Sequence, residues 1–254
     1  MDVGSFGFIE AKGVVKRFGD FIAIDHVDFT LRKSETVGII GPNGAGKTTF
    51  LNLITGLYIP DRGVVKYEGI DITRYSPEMR VSIGMLRTFQ LVRIFDNLSV
   101  YDNLALSYFR KQYGRSLPLN IFFNNLVRLE IQQRVYQTSQ LFELDSMVKE
   151  KAGNLPLGSK RRLEIAMVLI ADPKMLALDE PFAGLSDKEI DELLDVLKDY
   201  NHKITILIIE HKVSKLLSFV DRLAVMHEGK IVASGLPEET LDDPEVRRVY
   251  WKLK

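Results

Sequence analysis

The chain of 254 residues contains no cysteine. Disulfides, thiolate metal sites and thiol catalysis are therefore excluded, and a reducing compartment is the expectation. Nor is there an excess of charge of either sign, since 34 Lys+Arg balance 34 Asp+Glu. Nothing in that balance suggests a polyanion-binding surface, which argues against nucleic acid as a main partner. No apolar run approaches the ~20 residues of a membrane span, because charge or glycine breaks each one. The opening Met1-Asp2-Val3-Gly4-Ser5-Phe6 lacks the basic and apolar regions of a secretory signal. Internal repeats and low-complexity linkers are also missing. Together these absences predict a soluble cytoplasmic protein. What is present is ordinary globular material, 46% hydrophobic and 27% charged, in a chain long enough for one large domain or a domain with an inserted lobe.

The most informative stretch is Gly41-Pro42-Asn43-Gly44-Ala45-Gly46-Lys47-Thr48. Before it lies the apolar run Thr36-Val37-Gly38-Ile39-Ile40, a buried-strand pattern, and after it Thr49 opens a segment with apolar residues at 50, 53, 54 and 57. The octet fits G-x-x-x-x-G-K-[ST], the phosphate-binding loop of nucleotide triphosphatases. Its glycines let backbone N–H groups turn inward toward phosphate oxygens. The helix that follows adds partial positive charge at its N-terminus. Lys47 can reach the β- and γ-phosphates, and the Thr48 hydroxyl can ligate Mg²⁺.

Around this loop the pattern alternates strands and helices. Residues 8–15 read as a strand, 18–21 as a turn, and 27–31 as a half-buried antiparallel strand. Residues 64–67 and 70–72 flank Glu68-Gly69 as a hairpin. Ser76-Pro77 opens a short helix, and 83–89 reads as a strand that ends at Gln90. Ser99 and Asp102 then start a helix to about 110. A loop with Gly114 and Pro118 follows, and a long helical stretch runs over 124–144. The alternation returns with a helix over 160–170, a strand at 174–179, and a helix capped by Ser186 and Glu189. A buried strand at 204–209, a helix at 213–219, a hairpin at Glu228-Gly229 and a helical tail complete the chain.

A phosphate loop requires a metal-holding carboxylate and a group to activate water. Leu176-Ala177-Leu178-Asp179-Glu180 supplies both at the tip of an apolar strand. Asp179 is placed to hold Mg²⁺ and Glu180 to polarise an attacking water. By itself such a run also describes a solvated strand end; the loop gives it meaning. Gln90 and His211 follow strands as well, so the amide of Gln90 can contact metal or water and His211 can meet a γ-phosphate and orient Glu180. Without the loop, each would read as an ordinary surface residue. Phe18 can stack on a purine base, although most such aromatics are core.

In order along almost the whole chain, this set resembles the ATP-binding subunits of ABC transporters. Phe18 resembles the family's base-stacking aromatic, 41–48 with Thr49 its Walker A, Gln90 its Q-loop, 175–180 its Walker B and His211 its switch histidine. The resemblance implies an α/β fold: a P-loop NTPase core with an antiparallel β-subdomain and an inserted helical subdomain. The expected division is 1–90 and 165–254 for the core and 91–164 for the helical lobe. ATP and Mg²⁺ are the implied cofactors. The implied partners are membrane permease subunits and a second ATP-binding subunit, identical or related, which would place the chain peripherally on the cytoplasmic face of the cell membrane. The family's Leu-Ser-Gly-Gly-Gln signature, which caps the ATP of the opposite subunit, corresponds to Leu155-Pro156-Leu157-Gly158-Ser159. Gly158 and Ser159 are its expected nucleotide contacts. Pro156 removes a hydroxyl and an N–H donor, and Ser186 stands where an Asp is usual. Arg87-Thr88-Phe89-Gln90, Arg161-Arg162-Leu163-Glu164-Ile165-Ala166 and the long segment 100–135 with Asn120-Ile121-Phe122-Phe123 look most like the branched-chain amino-acid importers. The rival readings are a soluble ABC-type ATPase and a nucleotide-gated adaptor that binds ATP without splitting it.

Overall fold

In the computed structural model, residues 7–113 and 125–251 are described. The loop expected around Gly114 and Pro118 and the segment Asn120-Ile121-Phe122-Phe123 lie outside them. The chain forms two compact units. The first comprises Met1–Arg87, Lys174–Pro181 and Lys198–Lys254, and the second Thr88–Pro173 and Phe182–Leu197.

The first unit begins with β1 (Ile9–Phe18), β2 (Phe21–Leu31) and β3 (Thr36–Ile40), followed by α1 (Lys47–Ile54). Next come β4 (Arg62–Tyr67), β5 (Ile70–Asp71), α2 (Pro77–Ser82) and β6 (Met85–Arg87). The second unit contains α3 (Val100–Tyr113), α4 (Asn125–Leu141) and α5 (Leu157–Leu169). The chain then runs through β7 (Met175–Asp179), α6 (Asp187–Lys198), β8 (Thr205–Ile209), α7 (Val213–Leu216), β9 (Arg222–His227), β10 (Lys230–Gly235), α8 (Pro237–Asp242) and α9 (Pro244–Trp251).

Two sheets build the first unit. One is antiparallel, in the order β2-β1-β4-β5. Its β1–β2 ladder is longer than the patterns at 8–15 and 27–31 indicate and carries register shifts between Ala11 and Arg17. Such bulges interrupt the period-2 alternation on which those patterns rest. The other sheet has the order β10-β9-β3-β8-β7-β6. Its neighbours from β9 to β6 pair in parallel, and β10 is antiparallel at the edge. Every residue of β3, β7 and β8 is buried, as expected of aliphatic strands covered on both faces. Parallel pairing puts the carboxyl ends of β3, β7 and β8 along one edge, where α/β folds bind ligands.

Several expected elements are shorter than their patterns. The strand expected at 83–89 is only β6, because Gly84 turns with φ 93° and its carbonyl is bonded by the amides of Lys174 and Met175. Gln90 therefore lies three residues beyond the strand, not at its end. The helix expected at 213–219 ends at Leu216. The second unit includes all of α5, so a boundary at 164 falls inside a continuous helix. Its helices open as their sequences indicate: Ser99 and Asp102 bond reciprocally, as do Ser186 and Glu189. Ile190, Leu193, Leu194 and Leu197 are the buried face of α6.

The C-terminus of α1 is closed by a cation. Arg80, 1% exposed, donates to the carbonyls of Leu53, Ile54, Ile72, Thr73 and Tyr75. A guanidinium placed on the last carbonyls of a helix satisfies groups the helix cannot. Burial pushes its pKa down to about 10, which leaves it charged at neutral pH. Arg80→Ala is expected to destabilise the fold by about 3 kcal/mol, because it strands several buried carbonyls. A urea denaturation midpoint unchanged from the parent chain would contradict that account.

Candidate functional site

In the first unit, β3 delivers the chain into the loop at 41–46, and α1 starts at Lys47. Neighbouring backbone holds the loop from behind. A Cβ at Gly41 would fall 2.2 Å from the Met226 carbonyl oxygen. At Gly46, where φ is 100°, it would fall 2.6 Å from that of Ala23. The amide of Gly229, in the β9–β10 turn, donates to the Ala45 carbonyl at 3.0 Å. Gly46 is the N-cap of α1 and offers no side-chain hydrogen bond, and the first turn of the helix carries no acidic residue. The first-turn amides of α1 are thus available to an anion, with the helix dipole behind them.

Lys47 is buried, and its ammonium donates to the carbonyls of Gly41 at 2.8 Å and Pro42 at 3.1 Å. Burial lowers its pKa, against the opposing pull of the Glu180 and Asp179 carboxylates. A half-desolvated ammonium beside polarised amides is a strong partner for phosphate oxygens. Pro42, Asn43, Gly44, Ala45, Thr48 and Thr49 complete the loop and the first turn.

Asp179 ends β7 and is 1% exposed. Its Oδ1 accepts from the Thr48 hydroxyl at 3.3 Å, and its Oδ2 from the Arg87 guanidinium at 3.1 Å. Burial pushes its pKa up while Arg87 pulls it back. A hydroxyl and a carboxylate oxygen converging from two elements form the hard-oxygen donor pair that suits Mg²⁺, which takes few protein ligands and fills its shell from phosphate and water. Glu180 follows with φ 48°, a left-handed backbone uncommon for a side-chain-bearing residue. Its amide donates to the Ile209 carbonyl at 2.9 Å, tying it to the end of β8. His211, just past β8, brings Nε2 within 3.0 Å of Glu180 Oε1. With Glu180 ionised the hydrogen must lie on Nε2. A carboxylate oriented by an imidazole beside a phosphate-binding turn can accept a proton from water.

Phe18, at the end of β1, is 45% exposed and meets Tyr58 edge-on with ring centroids 5.4 Å apart. Gln90, Gly158 and Ser159 belong to the second unit. There Arg161, 2% exposed, donates to the carbonyls of Phe89 and Gln90, each at 2.8 Å, and pairs with Glu164. Glu164 in turn accepts from the amides of Phe89 and Arg93. Pro156 is the N-cap of α5 and offers no side-chain bond. The structure thus joins 41–49, Asp179, Glu180 and His211 in one unit and Gln90, Gly158 and Ser159 in the other. Sequence reasoning gave no chemical role to Arg87, Arg80 or Gly229. For Gly229 a signal existed, the Glu228-Gly229 turn, but not the loop it would brace.

A family model described as ABC transporter matches residues 24–183. The chain is 35% identical over 246 residues to the high-affinity branched-chain amino acid transport ATP-binding protein BraF of Pseudomonas aeruginosa, covering 95% of this chain and 96% of that one. It is also 35% identical over 248 residues to the corresponding LivG protein of Salmonella typhimurium, with the same coverage. Its fold matches a crystal structure of an ATP-binding cassette in its ADP conformation, with TM-score 0.82, 32% identity and coverage of 97% of this chain and 99% of that chain.

The two inner glycines of the loop should respond differently to a methyl group. Gly44 has φ 80° with nothing within 4 Å of an added Cβ, whereas Gly46 is both left-handed and crowded by Ala23. Gly46→Ala should lose at least ~1 kcal/mol more stability than Gly44→Ala. Its affinity for ATP should fall further as well, measured by isothermal titration. Equal behaviour of the two variants would refute the crowding argument.

Proposed function

This chain belongs to the ABC transporter family, and on that premise we propose that it energises import of branched-chain amino acids or similar small solutes. It is an ATP-binding and ATP-hydrolysing subunit of that family. The choice of solute is supported by likeness, along 95% of the chain, to relatives named for that transport. The observation that carries the chemical reading is the contact of Glu180 with His211 in the unit that also holds the Lys47 loop and Asp179.

In this reading the Phe18 ring stacks on the adenine, while the amides of 43–49 and the Lys47 ammonium hold the phosphates. Thr48 and Asp179 hold Mg²⁺ through oxygen, with Gln90 assigned to the same ion or its water from the family resemblance. When bound, the metal neutralises phosphate charge. Glu180 accepts a proton from the attacking water, and His211 keeps the carboxylate turned for that task. Gly158 and Ser159 face the nucleotide of a second ATP-binding subunit, identical or related. A permease docks on the second unit near Leu91, Phe95 and Leu98, which are 80%, 52% and 37% exposed. Exposed large apolar side chains close together in the sequence are what supports that assignment. The subunit then lies peripherally on the cytoplasmic face. Among the described residues, no helix is long and apolar enough to cross a membrane.

Two measurements on the chain assembled with its permease in proteoliposomes test this. Glu180→Gln should retain ATP binding and lose at least ~100-fold in hydrolysis, the scale of a lost general base. Unchanged turnover would remove Glu180 from that role. ATP-driven uptake of leucine, isoleucine or valine by the parent assembly is expected. Robust ATPase activity without uptake of any of the three would overturn the choice of solute and leave the motor intact.

A further inference from the structure

We propose that Arg87 is a positioning residue for the metal site: its guanidinium fixes one oxygen of Asp179 so that the other stays turned toward Thr48. The proposal rests on the reading of Thr48 and Asp179 as Mg²⁺ ligands of bound ATP.

Arg87 is the last residue of β6 and pairs with Ala177, two residues before Asp179 on the adjacent parallel strand. Its side chain is 10% exposed. Nη1 donates to Asn52 Oδ1 at 2.7 Å and to Thr55 Oγ1 at 2.8 Å, and Nη2 donates to Asp179 Oδ2 at 3.1 Å. The Thr55 hydroxyl spends its own hydrogen on the Leu51 carbonyl at 2.7 Å, so toward Arg87 it is an acceptor. Thr48, Asn52 and Thr55 recur at helical spacing, i, i+4 and i+7, and share one face of α1 and its C-cap. The contacts close into a ring: Thr48 to Asp179, Asp179 to Arg87, Arg87 to Asn52 and Thr55, and back along the helix to Thr48.

That ring does something a simple ion pair does not. A guanidinium is planar and its donors are rigidly spaced, so anchoring Nη1 to two acceptors on α1 fixes where Nη2 points. Asp179 Oδ2 is thereby held, the carboxylate cannot rotate, and Oδ1 remains facing the Thr48 hydroxyl. The spacing of the two metal-binding oxygens is thus set through α1. Lysine at 87 would keep the charge and lose the fork. Hydrogen-bond partners that orient metal ligands typically change metal affinity 10–100-fold when removed.

The test uses the full chain and ATP, with Mg²⁺ as the probe. ATP affinity is measured in excess EDTA and across a Mg²⁺ titration for the parent chain, Arg87→Met and Arg87→Lys, with thermal melting in the absence of nucleotide as a fold control. The expected result is that both variants bind ATP in EDTA within about 3-fold of the parent. The Mg²⁺ concentration for half-maximal gain should rise ~10-fold in Arg87→Met and by a smaller factor in Arg87→Lys. If Arg87→Met fails to fold, the Arg87→Lys midpoint alone decides. A Mg²⁺ midpoint identical to that of the parent, or an equal loss of ATP affinity with and without Mg²⁺, would reduce Arg87 to a structural residue and overturn the proposal. A parent chain that gains no ATP affinity from Mg²⁺ would instead refute the metal-site reading, and the proposal with it.

Discussion

A loop that aims most of its amides at a ligand has few left to hold itself in place. Residues 41–46 spend the Ala45 amide on the Pro42 carbonyl at 3.2 Å and for the rest lean on backbone outside the loop. Gly41 lies against Met226 of β9, Gly46 against Ala23 of β2, and Ala45 accepts from Gly229 of the β9–β10 turn. At Gly41 and Gly46 the approach is so close that a Cβ would fall within 2.6 Å of a neighbouring carbonyl oxygen, so glycine serves packing as much as conformation. The amide of Asp25 also donates to the Gly229 carbonyl at 2.9 Å, drawing the antiparallel sheet into the same support. The two sheets of the first unit therefore meet where the phosphate loop must be rigid.

Charge is arranged around the loop with similar economy. Lys47, Arg87 and Arg80 are all at most one-tenth exposed, and each sits on α1 or at its ends. Buried cations are costly unless every donor finds an acceptor. Arg80 finds carbonyls at the C-terminal end, Arg87 finds Asn52, Thr55 and Asp179, and Lys47 finds loop carbonyls. The Arg87 guanidinium also reaches a carboxylate, that of Asp179, which is the proposed metal ligand. A helix of eight residues could not hold such a site alone. It does so because cations from α2 and β6 close its far end and flank.

What the sequence disclosed was local and what it hid was distant. The strand, loop and helix at 36–54 were legible because glycine spacing, apolar runs and the Lys-Thr pair lie within twenty residues. The capping pairs at 99/102 and 186/189 were legible for the same reason. Asp179 and Glu180 could be paired with the loop only because an apolar strand ending in acids has few uses beside a phosphate. Arg87 and Asp179 are 92 positions apart, and Arg161 reaches carbonyls 71 and 72 positions away. No periodicity joins such partners. The same limit explains the boundary at 164: nothing in Arg161-Arg162-Leu163-Glu164 announces that its buried pair belongs with 89–93.

The segment 155–159, which resembles the family signature with changed letters, keeps backbone donors at a helix start. With Pro156 as N-cap, α5 begins at Leu157, and its first intrahelical bond runs from the Lys160 amide to the Pro156 carbonyl at 2.9 Å. The amides of residues 157–159 precede that bond and belong to no helical ladder. Proline at an N-cap sacrifices a side-chain hydroxyl, yet its own missing N–H lies outside those first-turn donors. Gly158 lies close to α6: a Cβ there would come within 2.1 Å of a Glu189 carboxylate oxygen unless that side chain moved, and Leu157 occupies the space over Gly184. The backbone donors of this turn therefore survive the substitutions that remove its hydroxyl. The same glutamate caps α6 through Ser186 and borders Gly158, so the openings of α6 and α5 meet at one side chain.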